Sequence, residues 1–495
     1  MSKLDHLIVL MNSMNRSEKR YFDLHSQPYE GEKDYRLLYR IIQKMNYDAD
    51  SVKSEFTRLK PKASFEITCS HLYQALLDKL SAKDSESELE FQIMKAYQQA
   101  RFLYKRNLCN ESLQLIRKFK KTALDYEFFS YFLLLAKLEI RIYNQMEFGG
   151  IDEDELVRKQ SKIESVSRQQ RAIENLTGLY NLISLRQIKQ GQVRNEAEKT
   201  KLNDLAFNEL QAISGQNKDS FEAQKLHLLF QSAYFMKTAN PKSSMKVYYE
   251  LNQLFENNRK LWGNPPFFYI NHIRGILNNL RWFGNYAEMP YFIDKLKNLL
   301  SEFPAAQATI FPLIFIFESR MLTDQKLFPE ALAHLHGIQD KLTENDSNLT
   351  FATKAETALQ TAVVLFWNKN YKQALKAIRP ILNAGKPFSQ LPQTKPVRFM
   401  NILIHCELKD FDYLESEIRS IERDLKKRGK PLKSEEIILK SVVITLKETD
   451  TKRRTKKLLK QKETLQGLKD NPFERQLLNS FDFIEWLEKQ TTSVN

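Results

Sequence analysis

Histidine and cysteine are the side chains that catalytic and metal sites draw on most, and the chain has eight of the first and three of the second. His334 and His336 are two residues apart, which sends them to different faces of a helix and away from a shared metal. Cys69 and His71 have the same spacing, and His405 and Cys406 are adjacent. A histidine satisfied within a core or groove accounts for each. Cys69, Cys109 and Cys406 are odd in number and lack paired spacing. Neither a disulfide framework nor a zinc site is expected from them, and a reducing compartment is. The run Asp152, Glu153, Asp154 and Glu155 reads as negative charge complementing a helix N-terminus. No phosphate-cradling Gly-rich loop, Gly-x-Ser-x-Gly elbow or His-Glu-x-x-His pair occurs. These residues predict no enzyme, no catalytic or metal site, no cofactor and no small-molecule substrate.

Phosphate binding is the other chemistry on offer. Lys452, Arg453, Arg454, Lys456 and Lys457 are followed by Lys460 and Lys462, with Lys426, Lys427, Arg428 and Lys430 upstream. Such a cluster can neutralise phosphates and release counterions, which gives salt-sensitive nucleic-acid binding. It contains no aromatic residue for base stacking, and Glu415, Glu417, Glu422 and Asp424 stand just before it. A solvated basic helix face accounts for the same residues.

Composition limits the elements that can carry these side chains. Across 495 residues there are only 13 Gly and 15 Pro, which favours long helices with few hairpins. Hydrophobic residues make up 42%, enough to bury a large core. The formal net charge of +15 points to acidic partners. Leu7 to Met11 is too short an apolar run for a secretory signal. No window approaches the roughly 18 apolar residues of a membrane span. The best, Thr309 to Phe317, is short and contains Pro312. A cytoplasmic protein without a membrane partner is expected.

Residues 1–82 read as a helical unit. Asn15 to Glu18 has capping-box spacing ahead of Tyr21, Phe22 and Leu24. Helices follow through Leu37 to Met45, through Val52 to Leu59, and through Leu72 to Leu80. Small bundles and helix-turn-helix or winged-helix DNA readers look alike at this level. Residues 83–215 read as long, irregular helix pairs. Ser85 to Glu88 is a second capping box, Phe128 to Leu135 a buried helix, and Asp152 to Gln190 one long helix. Residues 216–495 carry a repeat. Capping spacing recurs at Asp219 with Glu222, Thr353 with Glu356, Asn240-Pro241 and Asn471-Pro472. The helix from Phe473 to Leu487 is expected to cap the array.

In the repeat, an aromatic residue is followed three positions on by a small or apolar residue, and then by apolar residues four and seven further on. Tyr286 leads to Met289, Ile293 and Leu296, and Phe328 to Ala331, Leu335 and Ile338. Tyr371 leads to Ala374, Ile378 and Ile381, and Phe411 to Leu414, Ile418 and Ile421. The aromatics are 42, 43 and 40 residues apart. Weaker copies follow Asn240-Pro241 and begin at Cys109. The pattern resembles the tetratricopeptide-repeat family, with Tyr371 to Leu375 the nearest match, although the period exceeds that family's 34. Ser17 to Phe22 (Ser-Glu-Lys-Arg-Tyr-Phe) is similar to a motif in a group of bacterial proteins of this build, and that likeness brings no activity with it.

The resemblance implies an all-α fold, a right-handed tetratricopeptide-like solenoid led by an N-terminal helical unit. It implies a groove lined by the first helix of each pair. Aligned on the repeat, the helix from Pro266 to Phe283 turns Ile273, Ile276, Leu277 and Leu280 to the packing side. Asn271, Arg274, Asn278 and Arg281 then fall on the groove strip. Arg can grip a carboxylate bidentately, and Asn can hold a peptide backbone. Neighbouring repeats place Leu226, Leu229, Leu359 and Val363 at comparable positions, and a solvated polar face accounts for the strip equally. The function expected is a scaffold or adaptor capturing an acidic peptide or protein partner. The alternative is nucleic-acid binding through Lys452, Arg453, Arg454, Lys456 and Lys457 or through the N-terminal unit.

Overall fold

Scarce glycine and proline leave long stretches of backbone free to bond to themselves, and every regular element among the described residues is a helix. The computed structural model describes residues 2–14, 16–26, 33–45, 48–190, 193–213, 220–344, 349–385, 393–427, 431–471 and 473–492. Contacts divide the chain into two compact units, residues 1–164 and 165–495.

The first unit holds α1 (Lys3–Ser13), α2 (Arg16–His25), α3 (Asp34–Lys44), α4 (Ala49–Leu59) and α5 (Phe65–Ser87). It continues through α6 (Leu89–Tyr104), α7 (Cys109–Asp125), α8 (Phe129–Gln145) and the start of α9 (Glu153–Gln190). Leu7, Met11, Phe22, Leu38, Ile42, Val52, Phe56, Leu72 and Leu76 share one core. In the run Leu7 to Met11, Leu7 and Met11 lie on the buried face of α1 and Val9 is exposed. Asn15 lies outside the described residues. The capping box expected at Ser85 is not a helix start: Ser85 belongs to α5, and α6 opens at Leu89 behind Glu88. The buried helix and the long helix are α8 and α9, the latter opened by Asp152, whose carboxylate accepts the Glu155 amide at 2.7 Å.

The second unit adds α10 (Glu196–Thr200), α11 (Asn203–Ile213), α12 (Phe221–Lys237), α13 (Pro241–Asn257), α14 (Phe267–Phe283) and α15 (Met289–Glu302). Next come α16 (Gln307–Asp324), α17 (Phe328–Glu344), α18 (Phe351–Trp367), α19 (Tyr371–Leu382), α20 (Thr394–Glu407) and α21 (Phe411–Lys427). The last are α22 (Lys433–Lys447), α23 (Thr451–Gln466), α24 (Arg475–Leu478) and α25 (Phe483–Thr492). From α12 to α21 each helix packs on the next, α22 packs on α23, and α23 on α25. Alternate helices α14, α16, α18, α20 and α22 also touch in sequence, forming a layer of first helices beneath the second ones.

A single backbone device joins first helix to second. Asn107, Ala239, Gly284, Lys326, Lys369 and Lys409 are all left-handed, with φ between 54° and 70°. Each stands two residues ahead of the position the repeat pattern marks: Cys109, Pro241, Tyr286, Phe328, Tyr371 and Phe411. The amide after each left-handed residue bonds the carbonyl five residues back, as Leu327 does to Leu322 and Asn370 to Leu365, both at 2.9 Å. This is a Schellman closure, which satisfies carbonyls that a helix end would otherwise orphan. Three residues past the marked position, Ser112, Ser244, Met289, Ala331, Ala374 and Leu414 are each 0% exposed. A residue that small, or that deeply inserted, lets the paired helices meet. Tyr286 differs in one respect: it opens a turn, and α15 begins at Met289 with Pro290 in its first turn.

Several local expectations shift by a residue or more. Ser220 and Thr350 cap α12 and α18, accepting the amides of Ala223 at 3.1 Å and Thr353 at 3.2 Å. Asp219 lies outside the described residues, and Thr353 is already helical. Asn240 caps α13 as expected, accepting the Ser243 amide at 3.2 Å. Asn471 accepts the amides of Phe473 and Glu474, and Pro472 lies outside the described residues. The terminal helix is two helices, because Asp482 starts a new one by accepting the Glu485 amide at 3.0 Å. Pro312 does not shorten its helix, which runs through it. Pro304–Asp324 is therefore long and apolar enough to cross a membrane by length and composition, contrary to expectation, with 56% of that window buried inside the protein.

Candidate functional site

The packing side of α14 is as the repeat implies: Ile273, Ile276, Leu277 and Leu280 are buried. The opposite strip rises from exposed Asn271 through half-buried Arg274, Asn278 and Arg281. The structure ties the last three to side chains of the next two first helices.

Arg281 grips Asp324 of α16 with two parallel bonds, Nε to Oδ2 at 2.6 Å and Nη2 to Oδ1 at 2.9 Å. The Tyr286 hydroxyl donates to the same carboxylate at 3.2 Å. Arg274 reaches past α16 altogether and bonds Glu356 on α18. Arg320, from α16, holds the other oxygen of Glu356 at 2.8 Å. Asn278 donates to the Arg274 carbonyl at 3.0 Å and accepts from Arg320 at 3.4 Å. At the C-terminal end of the strip Arg475 donates to the Trp282 carbonyl at 2.5 Å, with its guanidinium 4.5 Å from the centre of that indole ring.

Arg274 therefore links first helices two pairs apart, across α16.

The electrostatics follow from burial. Burial favours protonation of Glu356, but Arg274 and Arg320 outweigh it and hold its pKa down at about 2. Burial opposes the charge on Arg281, and Asp324 more than compensates, so its pKa is raised. Arg320 is drawn down by burial, which together with the positive Arg281 and Arg274 outweighs Glu356. Burial likewise lowers Arg475. Three guanidinium groups thus share two carboxylates, with Arg475 and its neighbouring Asp470 beside them, and positive charge is in excess along the strip.

The first helices that follow α14 do supply matching polar residues. Leu226, Leu229, Leu359 and Val363, expected at positions comparable to the strip, are buried in the core. The partners sit elsewhere on their helices: Glu356 stands three residues before Leu359, and Arg320 and Asp324 lie at the C-terminal end of α16. Arg320 and Asp324 follow the apolar run Ile310 to Phe317, which drew attention from sequence as a membrane candidate. Salt-bridge complementarity between helices two pairs apart was the available signal. Beside the strip, Asn278, Asn279 and Trp282 line a cavity of about 20 Å³ with Phe235, Met236 and Pro241, the size of one water molecule.

The basic candidates lie on α23. Lys452, Arg453, Lys456, Lys457 and Lys460 are exposed and Arg454 is half-buried. Lys457 bonds Glu448 at 2.5 Å, and Arg453 lies 3.9 Å from Asp450. Arg428 and Lys430 lie outside the described residues. Among the described residues no group of three His, Cys, Asp or Glu side chains is placed to hold a metal ion. His405 bonds Asp410 at 2.9 Å and stacks on Tyr413. Burial pushes the thiols of Cys69 and Cys406 up to about 11 and about 12, which keeps both protonated at neutral pH.

Compared with protein-family models, curated proteins and solved structures, the chain matches none.

Proposed function

We propose that this chain is a non-catalytic adaptor, a tetratricopeptide-like right-handed solenoid that works in the cytoplasm and captures an acidic peptide or protein partner against its inner strip. The observation that carries this reading is the sharing of two carboxylates, Asp324 and Glu356, among Arg274, Arg281 and Arg320, with Arg475 close by on the Trp282 carbonyl. A strip with surplus guanidinium donors is suited to a carboxylate-bearing segment. The recurring left-handed turns and the sequential layer of first helices support the solenoid. Arg274 and Arg281 also hold the fold. Arg281→Ala would leave Asp324 half-buried with only a tyrosine partner and should cost about 2–4 kcal/mol, so removing these arginines cannot test capture cleanly.

Asn271 gives the cleaner test, since it is exposed on the strip and belongs to no bond in the network. A photo-crosslinking amino acid placed there should trap an acidic protein in the native cell. The same group at Lys376, on the far side of the helix layers, should not. Identical products from both positions, or none from position 271, would remove the adaptor reading.

A further inference from the structure

The surplus of base gathers on one side of the second unit. Counted from its first residue, each second helix buries the positions three, seven and ten or fourteen residues on: Ala374, Ile378 and Ile381 in α19, Leu414, Ile418, Ile421 and Leu425 in α21, Leu458 and Leu465 in α23. These positions face the layer of first helices. The opposite face of each second helix therefore looks to a common outer side.

On that face α19 carries Lys372, Lys376 and Arg379, all exposed. The next second helix, α21, carries exposed Arg419, Arg423 and Lys426. The last, α23, carries exposed Lys452, Lys456 and Lys460. Arg419 lies 3.3 Å from Glu415, which also meets Lys447. Among the described residues the other eight make no ion pair. The acids on these helices are Asp412, Glu415, Glu417, Glu422 and Asp424 of α21 and Glu463 of α23, of which Glu417 and Asp424 are turned to Arg398 of α20. The middle pairs lack this character: in α15 the matching positions are Ala287, Tyr291 and Asp294, and in α17 they are Pro329, Ala333 and His336.

We infer that the outer faces of α19, α21 and α23 form a docking surface for the phosphate backbone of double-stranded nucleic acid, read without regard to sequence. Cations four residues apart on a helix advance about 6 Å, and duplex DNA presents a negative charge about every 1.7 Å along its axis, so each cation finds a phosphate. Lysine is depleted from the cores of protein interfaces, where aromatic residues are enriched. The nine positions include no aromatic residue. Single strands are held by stacking bases on such rings, which favours a duplex here. A bilayer surface would require a band of apolar side chains for insertion, and among the described residues of the three helices the exposed large ones are Phe411 and Tyr413, at the start of α21, and Leu459.

The test is fluorescence anisotropy of a 20-base-pair duplex of arbitrary sequence titrated with the full chain from 50 to 300 mM KCl. Binding should weaken steeply with salt, on a log–log slope of about −3 or steeper, at about 0.9 per phosphate neutralised. Lys452→Gln with Lys456→Gln and Lys460→Gln should lower affinity about tenfold at 50 mM salt and flatten the slope by about 2 to 3, with thermal unfolding unchanged. Lys242→Gln with Lys246→Gln, outward on α13, controls for net charge and should change affinity less than twofold. No binding at 50 mM salt would overturn the proposal, as would a triple variant no weaker than the α13 control. Anionic phosphatidylserine vesicles that bind more tightly than the duplex, and are not displaced by it, would overturn the choice of occupant. None of these results bears on crosslinking at position 271, so the two readings stand or fall separately.

Discussion

Two residues of α14 pack under unusual constraint. Gly275 lies where α13 crosses: a Cβ there would stand 2.4 Å from the ring and hydroxyl of Tyr248, itself buried. Glycine is required at this position by the closeness of approach rather than by φ. Gly275→Ala must displace Tyr248, and overpacking of this kind costs about 1–3 kcal/mol. A denaturation midpoint equal to that of the parent would show the ring to be free to move. His272 is 1% exposed, touches the rings of Tyr248, Tyr269 and Phe255, and has no hydrogen-bond partner on either nitrogen. Burial, with a smaller contribution from Lys295, pushes its pKa from 6.5 down to about 3. Below pH 6.5 the unfolded chain takes up a proton that the folded protein refuses. This residue therefore removes stability as pH falls from 6.5 toward 3, by up to about 1.4 kcal/mol per unit. Glu356 acts lower on the scale. Its pKa is depressed from 4.5 to about 2, so its contribution is present above 4.5 and is lost as pH falls through about 2. His272→Leu should accordingly flatten stability between pH 6.5 and 4.5 and leave the steeper loss below that. Urea titrations of parent and variant at pH 7, 6 and 5 give the answer directly, and parallel declines would be fatal to the assignment.

At the level of the element, the second helices were largely legible. The marks at Phe328, Tyr371 and Phe411 coincide with the first residues of α17, α19 and α21, because an aromatic followed by a buried small residue records how closely two helices must approach. What was not legible was the turn ahead of each mark. Lysine at positions 326, 369 and 409 gives no hint of left-handed backbone, which sequence reasoning assigns to glycine, as at Gly284. The strip was read only half correctly for a related reason. Its residues on α14 follow from periodicity, whereas Arg320, Asp324 and Glu356 belong to it through ion pairs between helices, and periodicity within one helix does not encode its partners on another. The lysine turns make a prediction at this scale. A non-glycine residue pays roughly 1–2 kcal/mol in the left-handed region, part of which glycine gives back through greater freedom in the unfolded chain. Lys369→Gly and Lys409→Gly should each raise stability by about 0.5–1 kcal/mol, and the two effects should add, since the turns share no partner; Lys326→Gly should gain less, because Lys326 also pairs with Glu485. Lower melting temperatures in the single variants would mean that the lysine side chains contribute more than their backbone costs.

The second unit is held largely by neighbour contacts, an arrangement in which stability is the sum of local terms and damage stays local, with longer reaches such as Arg194 to Glu435 at 2.8 Å and Arg475 to the Trp282 carbonyl. The chain end also breaks that rule. Phe481 stacks on Trp367 with ring centres 4.9 Å apart, Trp486 donates to Glu407 at 2.8 Å, and Lys326 reaches Glu485 at 2.6 Å. The segment from Phe481 to Thr492 thus fastens the ends of three first helices, α16, α18 and α20, at once. Phe481, Phe483 and Trp486 are buried. Aromatic rings bury about 150–250 Å² each at about 25 cal/mol per Å², so the three contribute on the order of 10 kcal/mol before the entropy of ordering the segment is subtracted. A chain ending at Asn479 should therefore lose far more than its last helix. Hydrogen exchange should quicken through α18, α20, α22 and α23, and the amides of α12 and α13, which the segment does not touch, should keep their protection. If exchange quickened equally in α12 and α13, the unit would be one cooperative block; if it quickened only in α23, the fastening across the first helices would carry no weight.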